Sequence, residues 1–459
     1  MVAPASGQEL GRVGIAGTAD VTASAARAAA VQRDWAQAPF HERAAVLRRA
    51  GELVLRNTEE LCAWIVRETG GVPEKAFFEL HYAAQECFEA AALPSRAQGE
   101  VLASAAPRLS LARRVPAGVV GVIAPFNAPL ALAMRSVAPA LALGNAVVLK
   151  PDPRTAVSGG VVLARVFAEA GLPPGVLHVL PGGADVGTAL VAEPHVKVIS
   201  FTGSTATGRA VAELAGRQLT RTHLELGGNS ALIVLDGVDL DRAVRAGAWG
   251  SFFYQGQTCM SVGRHLVHES IYERYVAGLA TAADAMRVGD PATEQVDLGP
   301  LIDAAQRDRV HHLVTSSVAA GARLVTGGSF RDLFYRPTVL AETGPSIPAY
   351  EQEVFGPVAP VTPFTTQDDA VKLASDSDYG MSVGILTPDL ARGLALAERI
   401  PTGSAHVNDQ TVNDEAHVPF GGMLTSGTGS RFGSASANVE AFTEVRWITA
   451  RAEIPAYPF

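Results

Sequence analysis

VVGVIAPFNAPLALAMRSVAPALALGNAVVL occupies residues 119–149, long and apolar enough to suggest a membrane span. Pro125, Asn127, Pro129, Arg135, Pro139 and Asn145 interrupt it too often for that, so it reads as a buried strand, a turn, a helix and a second strand. Similar Val/Ile/Leu runs recur at 176–180, 196–201 and 231–235, separated by helical patterns such as 156–170 and 207–215. Continuous apolar strands joined by helical crossovers predict an α/β fold. Its parallel sheet is covered on both faces and carries ligands at the carboxyl ends of its strands.

Ahead of this core, residues 20–70 show helical spacing in three segments: an alanine-rich run through Trp35, a stretch 41–56, and a third that opens at Asn57 with Glu60 three residues on and stops at Gly70-Gly71. Beyond Cys259 the alternation resumes. Strand-like 265–268 leads to a helix capped by Ser270 with Glu273, a helix from about Asp303, strand 358–364, a helix near 369–374, and strands 382–386 and 404–407. A second α/β domain follows, with no flexible linker between the two, which places the site between them. Segments 102–115 and 442–459 fit neither domain. Leu109 and Leu111 alternate with Arg108 and Ser110, a pattern equally compatible with an edge hairpin folded on its own subunit and with a subunit interface.

The chain has 459 residues, 48% hydrophobic and 18% charged, which excludes disorder and small stapled folds. Its 37 basic against 46 acidic residues give −9, and no basic run exceeds a pair of arginines. That argues against nucleic acid or a membrane surface as partner and for a small molecule. The three cysteines, Cys62, Cys87 and Cys259, are too few and too far apart for a disulfide framework or zinc knuckle, and the N-terminus lacks a signal pattern, so a reducing cytoplasm is expected. The histidines offer no metal-ligand spacing, and none is read as a metal site.

Four short stretches carry chemistry. Phe201-Thr202-Gly203-Ser204-Thr205-Ala206-Thr207-Gly208 follows a strand and opens a helix, where backbone N–H groups meet a pyrophosphate, although two glycines at such a turn also serve packing alone. Glu225, in Leu224-Glu225-Leu226-Gly227-Gly228-Asn229, is a carboxylate between leucines. Desolvation there raises its pKa toward that of a general base, and a buried ion pair is the alternative. Cys259 stands in the Gly- and amide-rich loop Gln255-Gly256-Gln257-Thr258-Cys259-Met260, whereas Cys62 and Cys87 fall in helical patterns. It is a nucleophile candidate or a small buried hydrophobe. Asn127, between Pro125 and Pro129 at the carboxyl end of the first strand, is an oxyanion-donor candidate or an Asx-turn residue.

In this order the four stretches resemble the aldehyde dehydrogenase superfamily, over essentially the whole chain. Asn145-Ala146-Val147-Val148-Leu149-Lys150-Pro151, Glu353-Val354-Phe355-Gly356-Pro357 and Pro419-Phe420-Gly421-Gly422 extend the resemblance. The finer match is to the benzaldehyde dehydrogenase branch. It rests on Lys150-Pro151-Asp152-Pro153-Arg154-Thr155-Ala156, residues 133–141, Pro181-Gly182-Gly183-Ala184-Asp185-Val186-Gly187, Arg264-His265-Leu266-Val267-His268 and the ending Tyr457-Pro458-Phe459.

The resemblance implies Cys259 as nucleophile, Glu225 as general base and Asn127 as oxyanion donor, together with the Cys259 backbone N–H. It also implies Lys150 at the adenosine ribose, Gly203 and Ser204 at the pyrophosphate, Glu353 at the nicotinamide ribose and Phe355 against the nicotinamide. Ala128, small where relatives often place an aromatic ring, and Phe420 are expected in an aryl pocket. The implied architecture is a Rossmann-like cofactor domain (1–101 and 117–227), a catalytic α/β domain (228–435) and a small β oligomerisation arm (102–116 and 436–459) joining a homodimer or homotetramer.

The implied activity is NAD-dependent oxidation of an aromatic aldehyde to its acid through a cysteine thioester, with NADP as second cofactor. Many relatives carry Glu after Lys-Pro-x where this chain has Pro153; Asp152 just before it is expected to set negative charge near the ribose. Aliphatic or semialdehyde oxidation, and a catalytically silent binding member of the fold, are the alternatives. The family's usual segment ahead of the stretch resembling Pro4-Ala5-Ser6-Gly7 is absent, which implies one trimmed edge if the chain starts natively at Met1.

Overall fold

The computed structural model describes residues 1–96 and 98–459. It opens with four helices, α1 (Thr18–Gln37), α2 (Phe40–Arg56), α3 (Thr58–Thr69) and α4 (Pro73–Ala92), one more than the three-segment layer read from residues 20–70. Gly70 closes α3 in the left-handed conformation, and Pro73 restarts the helix at its first position, where a missing N–H removes nothing.

The next elements are β1 (Gly99–Val101), β2 (Leu109–Pro116), β3 (Val119–Ile123), α5 (Pro129–Ala142), β4 (Ala146–Lys150), α6 (Val162–Glu169), β5 (Leu177–Val179), α7 (Ala184–Ala192), β6 (Val196–Thr202), α8 (Thr205–Arg217) and β7 (Arg221–Glu225). Strands β5-β4-β3-β6-β7 form one sheet, in that order, with every neighbour parallel. All residues of β3 and β4 are buried, which is why their sequence is uninterrupted apolar rather than alternating. Leu47 of α2, Leu80 of α4 and Phe167 of α6 share one core with Val120, Val147 and Ile199 of this sheet.

The chain then crosses to a second sheet through β8 (Ser230–Val234), α9 (Leu240–Phe252) and β9 (Val262–His268). Its seven strands run Arg323–Thr326, Thr338–Ala341, Val358–Phe364, β9, β8, Ser382–Leu386 and Ser404–Val407, parallel apart from the first pair. The predicted fold class, parallel α/β with a second α/β unit, is the one observed. The two leftover segments meet each other: β2 pairs antiparallel with Thr443–Ala450 on one side and β1 on the other, and the Trp447 indole donates to Ser110 Oγ at 2.9 Å. No helix among the described residues is long and apolar enough to cross a membrane.

Residues 226–229 join the carboxyl end of β7 in the first sheet to the amino end of β8 in the second. Cys259, three residues before β9, lies at that same amino edge. A Cβ on Gly228 would sit 2.3 Å from the Cys259 carbonyl oxygen, and one on Gly227 would sit 2.3 Å from a Glu353 carboxylate oxygen. Gly228→Ala should therefore lower unfolding free energy by about 1–3 kcal/mol, the usual penalty for overpacking, and move Cys259. Denaturant titration and the alkylation rate of Cys259 measure the two effects.

Candidate active site

Cys259 is presented by a strained loop. After α9 the chain enters a tight turn, Phe253–Gly256, in which Tyr254 (φ 49°), Gln255 (φ 53°) and Gly256 (φ 66°) are consecutively left-handed. Two non-glycine residues in that region need outside support. The Gln255 carboxamide supplies it, donating to the carbonyls of Gly70 (3.0 Å) and Pro300 (2.9 Å), while Gln257 Oε1 accepts from the Ile302 N–H at 3.1 Å. Gly256 is required: a Cβ there would lie 2.1 Å from the Gly356 carbonyl. The half-buried Cys259 contrasts with Cys87, wholly buried in α4. Desolvation, then the carboxylates of Glu353 and Glu225, push its thiol up to about 12, with Arg135 opposing them.

Glu225 ends β7 with its side chain almost fully buried. One oxygen accepts from the Gly422 N–H at 3.3 Å; the other, Oε1, is buried without a partner among the described residues. Burial pushes the carboxyl up to about 8, against the positive pull of Arg135, the Gly422 N–H and Arg431. Glu353 reaches the same link from the other side. It accepts from the Gly228 N–H at 2.9 Å and is raised to about 7, again chiefly by burial.

Asn127 is buried between β3 and α5, and Ala128 after it packs with Tyr82, Ala131 and Ala416 in a small apolar cluster. Phe420 is buried as well, but the Arg135 guanidinium lies 4.7 Å from its ring centre, so a cation occupies one face of this expected ring contact.

Arg135 is the group sequence reasoning passed over. It is buried on α5 and paired with Glu86, Asp414 and the Tyr82 hydroxyl, and its charge acts on both Glu225 and Cys259. A lone arginine in an apolar helix was the available signal.

Of the dinucleotide candidates, Lys150, Gly203 and Ser204 lie at the carboxyl edge of the first sheet, whereas Glu353 and Phe355 precede the second-sheet strand Val358–Phe364. Lys150 ends β4 opposite Ile123 of β3; among the described residues its buried ammonium bonds only to the Pro151 carbonyl at 3.3 Å, and burial lowers its pKa. Ser204 is the N-cap of α8, its Oγ accepting from the Thr207 N–H at 3.3 Å, and the Gly203 N–H donates to the Glu225 carbonyl at 3.1 Å. Phe355 (φ 55°) stands edge-on to Phe126, ring centres 6.0 Å apart.

Asp152 differs from expectation. Its oxygens accept from Arg154 Nε (2.9 Å) and Nη2 (2.7 Å), and Arg154 also reaches Asp303 at 2.5 Å, so the negative charge expected near the ribose is paired. A buried ammonium and a helix N-terminus, with an edge-on pair of aromatic rings, suit a phosphate-bearing dinucleotide.

Comparison with known proteins gives the chain's family. The family model described as "Aldehyde dehydrogenase family" matches residues 1–448. A vanillin dehydrogenase of an Amycolatopsis species is 70% identical over 459 residues, covering 100% of this chain and 94% of that one. A benzaldehyde dehydrogenase [NAD(+)] of Pseudomonas putida is 49% identical over 460 residues, covering 100% and 94%. Among solved structures, a betaine aldehyde dehydrogenase of Staphylococcus aureus in complex with NAD+ superposes with a TM-score of 0.96 at 26% identity, covering 99% of this chain and 92% of that one.

Proposed function

Because the chain belongs to the aldehyde dehydrogenase family, oxidoreductases acting on aldehydes, we propose that it oxidises aromatic aldehydes of the benzaldehyde and vanillin type to their acids. The observation that carries the chemistry is Glu225, a buried carboxylate raised to about 8 whose Oε1 has no partner among the described residues, and the aromatic class is supported by the vanillin and benzaldehyde dehydrogenase relatives. Ala128 packs with Tyr82, Ala131 and Ala416, so the surroundings of Asn127 are apolar, which suits an aryl group better than a charged one. A semialdehyde bearing its own carboxylate would meet Arg135 already paired with Glu86 and Asp414, which favours the aromatic class.

In the proposed cycle the Cys259 thiolate attacks the aldehyde carbon, and the developing oxyanion is held by the Asn127 carboxamide and the Cys259 backbone N–H. The nicotinamide ring, when bound, supplies the hydride acceptor. Lys150, Gly203 and Ser204 would hold the ribose and phosphates, Glu353 the second ribose and Phe355 the ring. Cys259 is left acylated as a thioester. Glu225 then takes a proton from water, the hydroxide attacks the thioester carbon, and the C–S bond breaks to release the carboxylic acid and the thiol.

NAD is proposed over NADP, following the benzaldehyde dehydrogenase [NAD(+)] of Pseudomonas putida. The preference is modest, since Arg154 neutralises Asp152. The first sheet is proposed as the cofactor domain (1–101 and 117–227), the second as the catalytic domain (228–435). The three-stranded sheet is proposed as the arm of a homodimer or homotetramer: its edge strand Thr443–Ala450 exposes Val445 and Trp447. A cytoplasmic location fits the three unpaired cysteines.

Benzaldehyde and vanillin should exceed acetaldehyde and succinic semialdehyde in kcat/KM by roughly tenfold or more, the range a ring-sized apolar pocket can discriminate. A higher value for either aliphatic substrate defeats the aromatic reading. Cys259→Ala should abolish both the first turnover and the steady rate. Glu225→Gln should keep a burst of reduced cofactor but slow deacylation by roughly 10²–10⁴-fold. An acyl-enzyme seen by mass spectrometry is the expected product in that variant; near-normal steady turnover would remove Glu225 from the base role.

The pH dependence has a definite sign. Glu225 acts as base only when ionised, so a deacylation-limited kcat rises with pH through about 8, and Glu225→Gln lacks that limb.

A further inference from the structure

Helix α5 starts without a cap of its own. Its N-cap residue is Ala128, whose methyl group cannot accept the free N–H groups of the first turn. Glu79 of α4 accepts them instead: its Oε1 lies 2.7 Å from the Leu130 nitrogen and 3.4 Å from that of Ala131. The other Glu79 oxygen accepts from Lys75 Nζ at 2.5 Å, one turn earlier on α4, and both side chains are buried, at 2% and 3% exposure. The Lys75 ammonium also lies 4.2 Å from the ring centre of Tyr254, the first left-handed residue of the Cys259 loop. One buried ion pair thus touches the start of the helix that follows Asn127 and the start of the loop that carries Cys259.

Folding alone does not account for the pair, because apolar side chains of equal bulk usually serve stability as well as a buried ion pair does. Its geometry is directional: a carboxylate aimed along a helix axis at the positive end of the dipole. We propose that Glu79 is a positioning residue for Asn127, fixing as the external cap of α5 the direction in which the carboxamide two residues before Pro129 faces the substrate oxygen. The inference rests on Asn127 as oxyanion donor. The Lys75 ammonium holds the Glu79 carboxylate in place, and displacement of a catalytic group by about 1 Å is enough to slow a reaction up to roughly 10²-fold.

Two neutral variants separate capping from charge. Lys75→Met with Glu79→Gln keeps an acceptor oxygen for α5; Lys75→Met with Glu79→Leu keeps the bulk and removes the acceptor. With NAD and benzaldehyde, the Gln form should keep the burst rate within about threefold. The Leu form should slow it roughly 10–100-fold with little change in KM for NAD. In an Asn127→Ala background the Gln and Leu forms should be equal, since the residue through which Glu79 acts is gone.

Equal bursts in the Asn127 background, or the same slowing in both backgrounds, would overturn the inference. A normal burst in Asn127→Ala alone would instead overturn the oxyanion assignment. If the Leu form fails to fold, Glu79→Asp takes its place, keeping the charge while drawing the oxygen back by one methylene. Its burst must slow in the Asn127 background and not in the Asn127→Ala background, and any other pattern rejects the proposal.

Discussion

Everything at the site depends on how closely the backbone at Gly227 and Gly228 is approached. The Cys259 carbonyl presses on one glycine and the Glu353 carboxylate on the other, and neither leaves space for a methyl group. Because these residues are also the chain's passage from the first sheet to the second, the contact fixes the thiol, Glu225 and Glu353 relative to one another. A side chain at either position would push apart three groups that must act together. Neither glycine has a positive φ, so contact and not conformational freedom selects the residue.

The same crowding sets the electrostatics. Two carboxylates are held near one thiol in a place where water is mostly excluded: burial raises the proton affinity of all three, and the two carboxylates raise that of Cys259 further. Such a cluster resists ionisation unless a positive charge is supplied. Arg135 supplies part of it, acting on Glu225 and Cys259 alike, and is in turn stabilised by Glu86, Asp414 and the faces of Tyr82, Phe420 and Phe432. The proton affinity of Cys259 therefore depends on Glu353, Glu225 and Arg135 together, and changing any of them moves it.

The first sheet was legible because burial on both faces writes β3 and β4 as unbroken apolar runs. The motif residues were legible because turns between strand and helix need Gly, Asn and Ser for reasons that local sequence displays. Pairing at a distance was not: β2 and Thr443–Ala450 alternate like any edge strand, and nothing in either shows that they hydrogen-bond to each other. Phe420 was chosen for its ring, but the guanidinium over that ring comes from α5, far away in the chain. Asp152 was read as a free charge because a partner two residues on, folded back in a short turn, resembles ordinary surface spacing.

Lys75 and Glu79 show the limit most clearly. An i,i+4 pair of opposite charge on a helix ordinarily marks a solvent-facing side, and the sequence around it offers no contrary sign. The pair is buried because α5 needs an acceptor that Ala128 cannot provide, and Ala128 in turn is small where the aryl pocket is proposed to lie. A Ser or Asp at the N-cap would satisfy α5 locally but would set a polar group against that apolar cluster. Moving the cap onto α4 resolves the conflict: the helix start keeps its hydrogen bonds, the cluster stays apolar, and the charge that does the capping is neutralised by Lys75, which is also anchored to the nucleophile loop through Tyr254.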